Sequence, residues 1–111
     1  MNDCIFCRIV AGAVPAERVY EDEGHLAFKD LNPKAPVHLL VVPKTHSARL
    51  DTMLAAAGPS ALGELYAAAV GAAQANDLTD FRLNVNVGAD AGQEVFHTHV
   101  HVLGGWTQGE L

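Results

Sequence analysis

The sequence predicts an α+β domain in which an antiparallel sheet of about five strands carries a short N-terminal helix and one long helix. Three stretches predict it. His97-Thr98-His99-Val100-His101-Val102-Leu103 alternates with the period of two that puts every second side chain on one face of a strand. Val37-His38-Leu39-Leu40-Val41-Val42 is apolar on both faces but for His38, as in a central, covered strand. Between them, Leu62, Leu65, Tyr66, Ala69, Val70 and Ala73 recur at i, i+3, i+4, i+7, i+8 and i+11, the core stripe of a long helix.

From the N-terminus, residues 4–12 predict a short helix with i, i+4 pairs Ile5/Ile9 and Phe6/Val10, ended by Gly12 in a left-handed cap. Pro15 stops it. Residues 18–20 and 25–29 form a hairpin across Glu21-Asp22-Glu23-Gly24. A loop with Pro33 and Pro36 leads into the central strand, which ends at Pro43-Lys44-Thr45-His46. Residues 47–58 are a connection holding one helical turn around 51–54. The long helix spans 59–75, with Pro59 in its first turn after Gly58. Opposite its core stripe lie Gly63, Ala67, Ala68, Gly71, Ala72 and Ala75, a small-residue surface that is either plain alanine-rich helix or a homodimer contact. A half-buried strand over 81–87, a loop with Gly88 and Gly92, and the histidine strand complete the sheet.

At 111 residues the chain makes one domain, 1–111, with a single core. Hydrophobic residues at 50% against 18% charged exclude the disordered class. A net charge of -6 argues against nucleic acid as a partner, because non-specific binding needs a basic footprint. Any phosphate must then be held by local donors, which favours a small phosphorylated metabolite. The start Met1-Asn2-Asp3-Cys4 has no basic segment and no long apolar run, so no membrane partner is expected and the cytoplasm is the default location. There Cys4 and Cys7 stay reduced, open to metal binding, thiol chemistry or burial.

The chemistry concentrates in the histidines. A lone strand histidine is usually a half-buried polar residue, but three in alternation place groups titrating near neutrality side by side. Each imidazolium then depresses protonation of the next.

His97-Thr98-His99-Val100-His101-Val102-Leu103-Gly104-Gly105 resembles the signature of the histidine-triad (HIT) family. The stretches Cys4-Ile5-Phe6-Cys7, Leu26-Ala27-Phe28-Lys29-Asp30-Leu31, Ala35-Pro36-Val37-His38, Val42-Pro43-Lys44-Thr45-His46 and Gly92-Gln93-Glu94-Val95-Phe96 follow the family's order, so the resemblance covers residues 4 to about 105. It is most similar to the Hint-type branch of nucleotide hydrolases. The resemblance implies a homodimer joined through the long helix and a strand, with one sheet continuing across both subunits. It also implies hydrolysis of purine nucleoside 5′-phosphoramidates, adenosine type preferred, in two displacements at the α-phosphorus. His99 matches the nucleophile, which would form a nucleotidyl-histidine. His101 matches a residue that contacts the α-phosphate and passes a proton, and His38 the outlying fourth histidine. Asn86, Gln93 and the backbone after Gly92 match positions that bind phosphate or assist the leaving group, and Gly92 and Glu94 are counted with them among the nucleotide-binding candidates. Asp30 matches the ribose grip, and Ile5, Phe6, Ile9, Phe28 and Leu31 match the walls of the base pocket, although apolar walls choose poorly between purines.

Cys4 and Cys7 depart from the animal members and are similar to some bacterial ones, in which such a pair joins His46 and His97 around a structural zinc. Two thiolates and two imidazoles make a closed tetrahedral site, distinct from the chemistry. Trp106 either stacks over the leaving-group side or finishes the core. Three other readings stay open: hydrolysis of dinucleoside polyphosphates, a nucleotide- or partner-binding module with incidental hydrolysis, and metal storage.

Overall fold

The structure, a computed structural model, describes residues 3–110. Met1, Asn2 and Leu111, and with them the ends of the expected 1–111 span, lie outside the described residues. Helix α1 (Ile5–Val10) is followed by strands β1 (Arg18–Glu21), β2 (His25–Lys29) and β3 (Val37–Pro43), helices α2 (Leu50–Ala57) and α3 (Pro59–Ala75), and strands β4 (Phe81–Asn84) and β5 (Val100–Gly104). The expected five-stranded antiparallel sheet is present, in the order β1-β2-β3-β5-β4.

β3 is the central strand, and its two faces build two cores. Leu39 and Val41 pack with Leu65, Ala69, Ala73, Val100 and Val102 beneath α3, while Leu40 and Val42 pack with Phe6, Ile9, Leu26 and Phe28 beneath α1. Burying one such aliphatic side chain stabilises the fold by roughly 1.5–3 kcal/mol. Arg18 fixes α1 to the hairpin, its guanidinium donating to the carbonyls of Ile9 at 2.6 Å and Val10 at 3.3 Å at the helix C-terminus, where Ile9 also accepts the Gly12 N–H at 3.0 Å. Among the described residues no helix is long and apolar enough to cross a membrane.

Four expectations need correction. The histidine run is not one strand: regular pairing begins at Val100, opposite Val41, and His97 to His99 form an irregular lead-in. The lead-in bonds to the loop after β3 instead of a ladder. Thr98 donates its N–H and its hydroxyl to the carbonyl of Ser47, at 2.7 and 3.0 Å. β4 likewise ends at Asn84, short of the expected residue 87. The connection over 47–58 holds a complete helix, α2, of which only Met53 is buried.

The fourth correction concerns α3. Its buried residues are Leu65, Ala68, Ala69, Ala72 and Ala73; Leu62 and Tyr66 are half-buried against the same core, and Val70 is half-buried beside them. Ala68 and Ala72 therefore pack inward, and Gly71 receives Tyr20 of β1, whose hydroxyl would stand 2.9 Å from an added Cβ. The small residues serve close packing of helix on sheet, where larger side chains would overfill the space.

Candidate active site and metal centre

The register of β3 and β5 delivers the first pair of histidines. His38 faces Leu103 and His101 faces Leu40, so the two are diagonal neighbours on the α1 side of the sheet. His38 Nε2 lies 2.9 Å from His101 Nδ1. The N–H of Lys34, 3.0 Å away, donates to His38 Nδ1, which must therefore be the bare nitrogen. His38 Nε2–H then donates to His101 Nδ1, and His101 is left with its proton on Nε2. Asp30 Oδ2, 3.5 Å from His38 Nε2, faces the same ring, while Asp30 Oδ1 accepts the N–H of Asn32 at 2.7 Å.

His99 has the opposite tautomer. Its Nδ1–H donates to the carbonyl of His97 at 2.7 Å, leaving Nε2 with a free lone pair. The ring is fixed by Phe6, which meets it edge-on at 5.2 Å and 87° and also packs on Phe28. The His99 and His101 rings are 5.0 Å apart. A bare nitrogen and an N–H donor thus stand side by side.

Burial keeps these rings neutral. It pushes His99 below the usual histidine range against the pull of the His97 carbonyl, and His38 likewise, with Lys34 adding to the effect and Asp30 opposing it. His101 is lowered to about 4, first by burial and then by the neighbouring His99 and His38. The sign follows from linkage: a base whose folded pKa lies below about 6.5 takes its proton more readily when unfolded, so acidification from there towards 4 destabilises the fold.

Two cavities open onto these rings. The first, of about 330 Å³, is bordered by Ile5, Phe6, Ile9, Phe28 and Leu31 together with Asp30, Gly92, Glu94, His99 and His101. Every expected wall residue is there. Leu31 stands on its rim, 93% exposed. The second, of about 310 Å³, is polar: His38, His101, Asn84, Asn86, Lys34 and Glu94 line it, and Asp30, Asn32, Gly92, Glu94 and His101 are common to both.

Gly92 has φ +93°, and a Cβ there would stand 2.8 Å from Asn86 Nδ2, so both backbone and space require glycine. Asn86 is held by donating to the Ala91 carbonyl and accepting from Asn84, at 2.7 and 2.8 Å. Gln93 is not brought to either cavity. Its buried amide accepts the Gly88 N–H at 2.8 Å and donates to the carbonyls of Ala48 and Val95 at 2.7 and 3.0 Å, which makes it a brace for the loop. Trp106 lies under the guanidinium of Arg82, 5.2 Å from the ring centroid.

His97 turns away from the other two triad members. Its Nε2–H donates to the Pro43 carbonyl at 2.8 Å, which leaves Nδ1 bare. That lone pair faces Cys4 Sγ at 3.3 Å, Cys7 Sγ at 3.4 Å and His46 Nδ1 at 3.2 Å, and Cys7 Sγ lies 3.4 Å from His46 Nδ1. Tetrahedral zinc with ordinary bond lengths sets S···N edges of about 3.5 Å and N···N edges of about 3.3 Å. The four residues fit the ion. Asp30, His38 and His101 also converge, with ligand atoms within 4.8 Å of one another. They do not fit a metal, because a neutral His38 ligating through Nε2 would carry its proton on Nδ1, against the Lys34 N–H.

Sequence reasoning missed the groups that set the tautomers, since the Lys34 N–H and the carbonyls of Pro43 and His97 are backbone and carry no residue signal. Leu40, also bordering the first cavity, had one: it shares a β3 face with His38.

Comparison with known proteins agrees with this geometry. The HIT domain model matches residues 11–108. Protein HitA of Neisseria gonorrhoeae is 46% identical over 108 residues, covering 94% of this chain and 97% of that protein. A HIT family hydrolase from Legionella pneumophila superposes with a TM-score of 0.87 at 40% identity, covering 97% of both chains. A zinc-bound histidine triad family protein from Mycobacterium smegmatis superposes with a TM-score of 0.82 at 33% identity, over 98% of this chain and 79% of that one. With its triad, its sheet and nearly its whole length matched, the chain belongs to the HIT family.

Proposed function

We propose that the protein hydrolyses purine nucleoside 5′-phosphoramidates, adenosine type preferred, through a covalent nucleotidyl-His99. The observation that carries this is the pair of opposite tautomers, a bare His99 Nε2 beside a protonated His101 Nε2 at the floor of an apolar cavity. The base would lie between Ile5, Phe6, Ile9, Phe28 and Leu31, with the ribose hydroxyls on Asp30 and the α-phosphate over the two histidines. His99 Nε2 attacks phosphorus and the P–N bond breaks while His101 Nε2–H hydrogen-bonds the departing nitrogen, which takes up a proton from solvent as it leaves. Nucleotidylation makes the His99 ring cationic, and the neutral His101 ring 5.0 Å away adds no opposing charge. Water then attacks phosphorus, the P–Nε2 electron pair returns to His99, and the water's proton is released to solvent. Asn86 and backbone N–H groups after Gly92 supply neutral hydrogen bonds to the phosphate.

Cys4, Cys7, His46 and His97 would hold zinc. When bound, the ion supplies a structural crosslink between the start of α1 and the lead-in to β5. Those residues hold His97, and through its carbonyl they orient His99. A homodimer fits the half-buried residues Leu62, Tyr66 and Val70 on α3 and the edge strand β4. We place the protein in the cytoplasm, with no nucleic-acid or membrane partner.

Three outcomes are expected. His99→Ala lowers release of AMP from adenosine 5′-phosphoramidate by on the order of 10⁴-fold or more, and only the unaltered protein gains a nucleotidyl mass on rapid acid quench; equal turnover in both would exclude His99 as nucleophile. The Cys4→Ala, Cys7→Ala double variant loses about one zinc per chain in metal analysis and melts at lower temperature, whereas His99→Ala retains its zinc. Undiminished metal in the double variant would remove the assignment. Sedimentation equilibrium is expected to give twice the chain mass, and Val70→Glu, at a half-buried position outside the core cluster, to halve it; a single-chain mass for the unaltered protein would reject the dimer.

A further inference from the structure

Glu94 borders both the nucleoside cavity and the polar cavity, and also a third, open depression of about 680 Å³ beside the Cys4 and Cys7 side chains. It stands where the three meet. Its side chain is exposed, and among the described residues no cation lies within ion-pair distance of it. Of the other charged side chains here, Lys29 pairs with Glu17 at 2.9 Å. Lys34 Nζ donates to the neutral Asn32 carbonyl at 3.0 Å and keeps its charge, but it borders only the polar cavity. Asp30 and Glu94 border both cavities, so the junction between them carries net negative charge.

Direction follows from the chemistry of displacement. In an in-line attack the expelled group leaves phosphorus on the side opposite the nucleophile. His99 borders the nucleoside cavity and not the polar one, whereas His101 and Glu94 border both. A group expelled away from His99, past the His101 proton, is directed to the cavity mouth where Glu94 stands. Resting on the phosphoramidate reading, we infer that Glu94 selects the leaving group. It favours amines that carry a second, positively charged nitrogen and disfavours carboxylate-bearing amines and polyphosphates. The same charge separates a phosphoramidate from a dinucleoside polyphosphate, whose expelled group carries several negative charges.

Three adenosine 5′-phosphoramidates of equal length, with tails ending in an ammonium, a methyl or a carboxylate group, test this on the unaltered protein and on Glu94→Gln. Turnover is measured as kcat/KM, and binding by calorimetry on analogues in which a methylene replaces the bridging nitrogen. The unaltered protein is expected to prefer ammonium over methyl over carboxylate by roughly three- to fivefold per step, in both measurements, with the steps shrinking at high salt. In Glu94→Gln the three tails fall within about twofold of one another. The same order in both proteins, or preference for the carboxylate in the unaltered one as a dominant Lys34 would give, overturns the inference. Absence of turnover with the methyl-tailed compound would instead overturn the phosphoramidate reading, while the binding series still decides the role of Glu94.

Discussion

The site depends on one backbone hydrogen bond, from Nδ1–H of His99 to the carbonyl of His97. A neutral imidazole has one proton to place, and this bond holds it on the nitrogen that faces the chain. Nε2 is thereby freed toward the cavity without any basic partner to activate it. Burial supports the arrangement by disfavouring the imidazolium, which would carry a proton on both nitrogens and no lone pair.

The surrounding fold exists at this point to hold two carbonyls and one N–H in place. Pro43 ends the central strand and offers its carbonyl to His97, so the end of β3 fixes the residue whose own carbonyl fixes His99. The Lys34 N–H, in the loop before β3, sets His38 and through it His101. Phe6 on α1 meets the ring of His99, and Cys4 and Cys7 at the same helix meet His97. Loosening α1 would act on the proposed nucleophile by two routes, one through an aromatic edge and one through the proposed zinc ligands.

Much of this was legible in the sequence because it is written in side-chain period and type. The apolar run of β3, the Pro59 start of α3 and the hairpin each follow from patterns that local physics enforces. His38 could be placed near the triad only through resemblance, since its approach to His101 depends on a register between strands far apart in the chain. The division of the triad was hidden for a different reason. A period of two assigns His97, His99 and His101 to one face, yet pairing starts only at Val100, and the irregular lead-in turns His97 towards Cys4 and Cys7. Gln93 shows the same gap: its type suits a phosphate contact, but its three bonds to Gly88, Ala48 and Val95 were not readable from spacing. Alanines 68 and 72 misled because small residues fit both an exposed helix contact and a tight internal one.

The central claim is the pair of opposite neutral tautomers, and nitrogen-15 NMR of histidine-labelled protein, titrated from neutral pH downward, tests it most directly. The account predicts His99 protonated at Nδ1 and bare at Nε2, His101 bare at Nδ1 and protonated at Nε2, and His101 gaining its second proton only near pH 4. A proton on His99 Nε2, or an imidazolium at either residue at neutral pH, would contradict it.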